Sequence, residues 1–139
     1  MGSSSVVALL GFVSWTLFLL ILMEVMRVWW VVAKKFPANE FKPDNANISP
    51  FLQRLTRAHA NCLEGFPIFA ALLIIALITG QTAVTDPLAY LFLAARIVQS
   101  LAHLLSLSVI AVNVRFTFFF VQLVIGVYWL FELISVFIQ

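Results

Sequence analysis

The chain has 139 residues, of which 63% are hydrophobic and 10% charged, with Phe alone contributing 14; so much apolar surface does not fit inside one soluble core and predicts an integral membrane protein. Eight basic residues against six acidic ones leave a formal charge of +2, too little for a face that grips nucleic acid. The single cysteine, Cys62, excludes an intrachain disulfide and reads as a small packed hydrophobe.

After the opening MGSSS, which is set apart from the fold reasoning, the run VVALLGFVSWTLFLLILMEVM starts the first hydrophobic segment. It has no basic leader, exceeds the roughly 7 to 15 residues of a signal-peptide core and ends in no small-x-small cleavage pattern, so it is expected to stay as a membrane helix. Four segments reach the length of about 20 mostly apolar residues that a bilayer crossing needs. They cover about residues 6–33, 50–79, 84–108 and 114–137. The first break, KKFPANEFKPDNANISP, carries three prolines; the second, TGQTAVTDP, ends on a proline able to open a helix; the third, SVIAVNV, is a weak apolar turn. No internal repeat interrupts the pattern, and residues 1–139 read as a single all-α, four-helix transmembrane domain.

Orientation follows from the basic residues beside the helix ends. Lys34, Lys35, Lys42, Arg54 and Arg57 gather around the first connection and Arg115 flanks the third, whereas the second offers only Asp86. The expected topology is multi-pass, with the first and third loops cytoplasmic and both termini on the opposite side.

The polar residues of the spans segregate by depth. Glu24 and Arg27 lie late in the first span; Arg54, Arg57, Asn61 and Glu64 early in the second; Arg96, Gln99 and His103 late in the third; Arg115 and Gln122 early in the fourth. All belong to the half near the first and third loops. Helical spacing places Arg54, Arg57, Asn61 and Glu64 on one stripe, Arg96, Gln99 and His103 on a second, and Arg115, Phe119, Gln122 and Gly126 on a third. Ionisable groups in a membrane must face one another or a wet cavity, so three stripes at one depth predict a polar pocket. Glu24 with Arg27, and Glu64 with Arg57 or Arg96, also fit as local ion pairs. Yet Arg54, Arg57, Arg96 and Arg115 outnumber the one carboxylate among them, and an excess of guanidinium calls for an anion. A small zwitterion with net negative charge suits such a site, and glutathione has the matching groups: two carboxylates, an ammonium, two amides and a thiol.

The stretch RAHANCLEGFPIF, residues 57–69, resembles the second-helix signature of the membrane-associated proteins in eicosanoid and glutathione metabolism, the MAPEG family. The spacing from Arg57 through His59 and Asn61 to Glu64 matches fully. The likeness continues through KKFPAN in the first loop, AARIVQSLAH in the third span and VRFTFFFVQ in the fourth. It implies a trimer-forming four-helix bundle that binds glutathione as co-substrate between subunits and takes a hydrophobic molecule or lipid from the bilayer. By the same resemblance Arg54, Arg57, Asn61 and Glu64 hold the glutathione peptide, Arg96 supports the site from the third span, and Arg115 is the catalytic residue that stabilises the thiolate; His103 and Gln122, taken from the polar stripes of the third and fourth spans, join them as candidate glutathione-binding residues. His59 is expected at a helix-end or subunit contact. No metal is implied.

Four positions depart from the family's glutathione-active synthases. His103 and Phe119 stand where tyrosines contact the tripeptide, Val31 where an arginine closes the first span, and Phe116 where a hydroxyl neighbours the fourth-span arginine. These departures bear on activity more than on fold. The reaction expected is thiolate addition to a hydrophobic electrophile or reduction of a lipid hydroperoxide, with His103 a candidate general acid. Two other readings compete with it: a non-catalytic lipid-binding or scaffold protein of the same fold, with Phe116, Phe118, Phe119 and Phe120 along a lipid groove, and a small proton-coupled exporter built on Glu24. A nucleophilic Cys62 or a metal held by His59, Cys62 and His103 ranks below these.

Overall fold

The computed structural model describes residues 3–139, which form α1 (Ser4–Ala33), α2 (Pro50–Ile78), α3 (Thr82–Leu105) and α4 (Val109–Phe137) with no strand among the described residues. All four are long and apolar enough to cross a membrane. Even the shortest, α3 with 24 residues, spans about 36 Å at 1.5 Å per residue, against a hydrocarbon core of about 30 Å.

Local chemistry sets the helix ends. Three helices start at a serine whose hydroxyl accepts from a backbone N–H of the first turn: Ser3 from Ser5, Ser49 from Leu52 and Ser108 from Ala111. Pro50 follows Ser49 at the first helical position, where its missing N–H costs nothing. α2 stops at a left-handed Gly80 with φ of 70°, and the Gln81 N–H reaches back to the Ala76 carbonyl at 2.8 Å. That compact stop lets α3 begin at Thr82, so Pro87 sits inside the helix rather than at its start. The third connection is also shorter than the sequence suggested. Ser106 turns extended, Ser108 caps the next helix, and most of SVIAVNV becomes the opening of α4.

α3 is the central helix: it packs against α1, α2 and α4, while α2 and α4 barely touch and α1 and α4 do not meet. Phe92 of α3 anchors the core, with ring centroids 4.7 Å from Phe69, 5.4 Å from Trp129 and 5.7 Å from Phe12. At the end that carries the second loop, Asp86 ties the starts of α1 and α3 together. It accepts from the Ser3 hydroxyl, from the Ser5 N–H at 2.9 Å and from the Ser5 hydroxyl at 2.6 Å. The outer surface is apolar, as lipid contact requires, with residues such as Val32, Ile78 and Ile110 more than 70% exposed.

Candidate functional site

The polar residues of α2, α3 and α4 do converge near the end that carries the first and third loops, and they do so in two tiers. The inner tier is a buried amide and guanidinium network. Arg96 is fully buried and donates Nη1 to Asn61 Oδ1 at 2.7 Å; Gln99 donates Nε2 to the same oxygen at 2.9 Å. Behind them the buried Gln122 donates Nε2 to Gln99 Oε1 at 2.8 Å and to the Phe118 carbonyl at 3.0 Å. The Arg96 guanidinium also lies 5.4 Å from the centre of the Phe12 ring, a contact that favours the cation. Gly65 leaves it room, since a methyl group there would come within 2.9 Å of Arg96 Nη2. Nε and Nη2 of Arg96 are buried without a hydrogen-bond partner among the described residues.

The network fixes the amide of Asn61. With its oxygen turned inward to two donors, its Nδ2 group is left to face outward. Arg96 and Gln122 are sealed from any cleft within the chain, so they hold Asn61 from behind rather than present a group at a surface. Cys62 points the same way, buried with its Sγ 3.2 Å from the Ser100 hydroxyl.

The outer tier lines an open polar cavity of about 220 Å³ formed by Asn61, Gln99, His103, Val112, Arg115, Phe116 and Phe119. Arg115 Nη1 lies 2.7 Å from His103 Nδ1. Arg54 closes the same end of the bundle by donating Nε to the Leu104 carbonyl at 2.9 Å. Beside the cavity, the gap between α2 and α4 opens into a groove of about 460 Å³, with Glu64 and Asn61 at one end and an apolar floor that includes Ile68, Phe69, Leu123 and Leu130. Asn61 and Phe119 line both spaces.

Arg57 and Glu64 turn to the exposed face of α2 and make no hydrogen bond or ion pair among the described residues. The pairs of Glu64 with Arg57 or Arg96 do not form. Glu24 and Arg27 do pair, at 3.1 Å, on the outer flank of α1, and Arg27 Nε also reaches Asn45 Oδ1 at 3.1 Å. Glu24 thus lies apart from the central cavity, beside a shallow space that Val31 and Lys42 also line. His59 is half-buried in a surface furrow between α1 and α2 with Thr16, Leu20 and Leu63. No three His, Cys, Asp or Glu side chains converge as a metal cluster among the described residues.

A sequence model of the MAPEG family matches residues 5–135. The chain belongs to the MAPEG family. No curated protein and no solved structure matches it. As a MAPEG protein with four candidate spans it is a multi-pass integral membrane protein related to glutathione and eicosanoid metabolism. Two members of its polar constellation escape a reading of the motif alone. Gln99 links α2 to α4, and only its place on the Arg96 stripe points to it. Leu104 contributes a backbone oxygen, which no side-chain pattern reveals.

Proposed function

We propose that this MAPEG protein is a glutathione-dependent transferase or peroxidase acting on a hydrophobic electrophile. The observation that carries the reading is the shared wall: a polar cavity holding Arg115 and Asn61 opens beside an apolar groove, with Asn61 and Phe119 common to both. A thiol seated in the first space would lie next to a lipophilic molecule in the second. The outward Nδ2 of Asn61 suits a carboxylate or carbonyl of the tripeptide, Glu64 suits its ammonium, and Arg115 favours the thiolate. The thiolate adds to an electrophilic carbon, its electron pair forming the C–S bond while that carbon's π bond or its bond to a leaving group breaks and the displaced pair takes up a proton from water.

The exposed Arg57 and Glu64 extend the proposal to assembly. A charge facing hydrocarbon is costly, and a neighbouring copy that covers this face of α2 would supply partners and complete the site as a trimer. The basic residues around the first and third loops support their cytoplasmic location.

Conjugation of glutathione to a generic electrophile, compared between the natural chain and Arg115→Ala, tests the reading. A large loss in the variant is expected; equal rates would remove Arg115 from the chemistry. A second reading, a lipid-binding member without turnover, draws on the absence of a hydroxyl among the cavity's lining side chains, where Phe116 and Phe119 stand instead. It prevails if millimolar glutathione neither stabilises the purified protein nor gives a thiolate absorbance band.

A further inference from the structure

Two cavities lie along the outer flank of α1 and share a wall. One, of about 430 Å³, sits under the first loop and is lined by residues that include Glu24, Val28, Val31, Phe41 and Lys42. The other, of about 440 Å³, continues toward the middle of the span between Leu20, Ile21, Glu24, Val25 and Val28. Glu24 and Val28 line both, and Leu20 carries the line on to Leu17. Leu17, Leu20, Glu24, Val28 and Val31 recur at helical spacing, so the spaces form one groove along one stripe of α1. Its ends differ in polarity. Charged groups stand at the loop end, whereas Ile21, Leu20 and Leu17 make the rest aliphatic.

The groove has the length of one leaflet. Val28 to Leu17 is about 16 Å at 1.5 Å per residue, against about 15 Å for half of the hydrocarbon core. Trp29, half exposed and with the Lys34 ammonium 5.5 Å from its ring centre, marks the level of the headgroups. The charges at that level say which headgroup fits. Arg27 is engaged already: Nη1 holds Glu24 Oε1 at 3.1 Å, Nε holds Asn45 Oδ1 at 3.1 Å, and the guanidinium lies 5.7 Å from the centre of the Phe41 ring. Two groups of opposite sign are left over. Glu24 Oε2 and the Lys42 ammonium make no hydrogen bond or ion pair among the described residues, with each other or with a third group, and the Glu24 side chain is 52% exposed. A purely anionic head would satisfy Lys42 and be repelled by Glu24. A phosphate that carries a primary ammonium satisfies both, while a quaternary ammonium has no N–H to give the carboxylate.

We infer that this groove binds a phosphatidylethanolamine from the leaflet on the first-loop side. Its phosphate meets Lys42, its ammonium meets Glu24, and one acyl chain runs along Val25, Ile21 and Leu17. None of these residues belongs to the cavity of Asn61 and Arg115, so the site stands whether or not glutathione is turned over.

Titration of the full-length, detergent-purified protein with phosphatidylethanolamine, phosphatidylcholine and phosphatidylglycerol of identical acyl chains, read by native mass spectrometry, tests the assignment. Phosphatidylethanolamine should bind about tenfold more tightly than either of the others. Glu24→Gln should erase that advantage and strengthen phosphatidylglycerol, and Lys42→Gln should weaken phosphatidylethanolamine by about tenfold. Glu40→Gln, an exposed charge of the same loop outside the groove, should change nothing. A phosphatidylethanolamine with a photoreactive acyl chain should label α1 between Leu17 and Val28. Equal binding of the three lipids, a preference for phosphatidylglycerol, or an ethanolamine preference that survives Glu24→Gln overturns the inference. Absence of label on α1 overturns it too, and is the outcome expected if a second copy of the chain covers the groove. If Glu24→Gln does not fold, Lys42→Gln decides, since that side chain makes no hydrogen bond within the fold; unchanged affinity there overturns the site.

Discussion

Replacing Asn61 separates what holds the bundle from what meets a ligand. In Asn61→Leu the buried Arg96 loses its side-chain acceptor at 2.7 Å and Gln99 loses its acceptor at 2.9 Å. A hydrogen bond from a charged donor is worth about 1.5 to 3 kcal/mol and a neutral one about 0.5 to 1.5 kcal/mol. The sum is about 3 kcal/mol, at the lower end of the roughly 3 to 5 kcal/mol that follows removal of one partner from a buried charge. Asn61→Asp keeps an oxygen for both donors and brings Arg96 a counter-charge, so its stability should match or exceed that of the natural chain. It nonetheless loses the outward Nδ2 donor and sets a second carboxylate one turn from Glu64, so affinity for an anionic ligand should fall. Unfolding by SDS titration in mixed micelles, alongside glutathione titration, measures both quantities. If Asn61→Leu stays within about 1 kcal/mol of the natural chain, or Asn61→Asp falls as far as Asn61→Leu, the role given to the network is refuted.

Gly126→Ala should lower stability by about 1 to 3 kcal/mol, because the added methyl would come within 2.8 Å of Phe69 Cε1 and the ring is buried against Phe92; a thermal-shift measurement in detergent checks it, and an unchanged midpoint would show that Phe69 yields freely. Asn45 is fully buried at a φ of 55°, accepts from Arg27 and donates to Thr56 at 2.6 Å. Asn45→Ala should therefore cost about 2 kcal/mol or more, and Asn45→Gly less, because glycine accepts the left-handed backbone; limited proteolysis of the first loop reports the loosening. Asp86→Ala removes the acceptor shared by Ser3 and Ser5 and should free the start of α1, seen as faster amide exchange there while the Asn61 network keeps its protection.

The stripes on α3 and α4 were legible because helical periodicity fixes which residues share a face. Arg96, Gln99 and His103 do meet Asn61, Gln122 and Arg115. Which of several donors reaches which acceptor was not legible, since it depends on how far each helix is rotated about its axis. The α2 stripe shows the limit most clearly. Its spacing grouped Arg54, Arg57, Asn61 and Glu64, yet the fold turns Asn61 inward and Arg57 and Glu64 outward. In a bilayer both the packed and the lipid-facing sides of a helix are apolar, so hydrophobic periodicity says little about which way a stripe points. The last turn was misplaced for a related reason. SVIAVNV offers no glycine or proline, and the two serines that end α3 and cap α4 act through backbone geometry that composition does not display.

The wall that Asn61 and Phe119 contribute to both spaces has a thermodynamic consequence. Two molecules that press on the same side chains cannot bind independently. Any shift of Phe119 that widens the groove narrows or reshapes the polar cavity, and the factor by which one occupant changes the affinity of the other is the same in both directions. Saturating the groove with an inert hydrocarbon should therefore alter the dissociation constant of a polar ligand, and saturating the cavity should return an equal effect. Phe119 is where that reciprocity can be tuned without touching a charged residue.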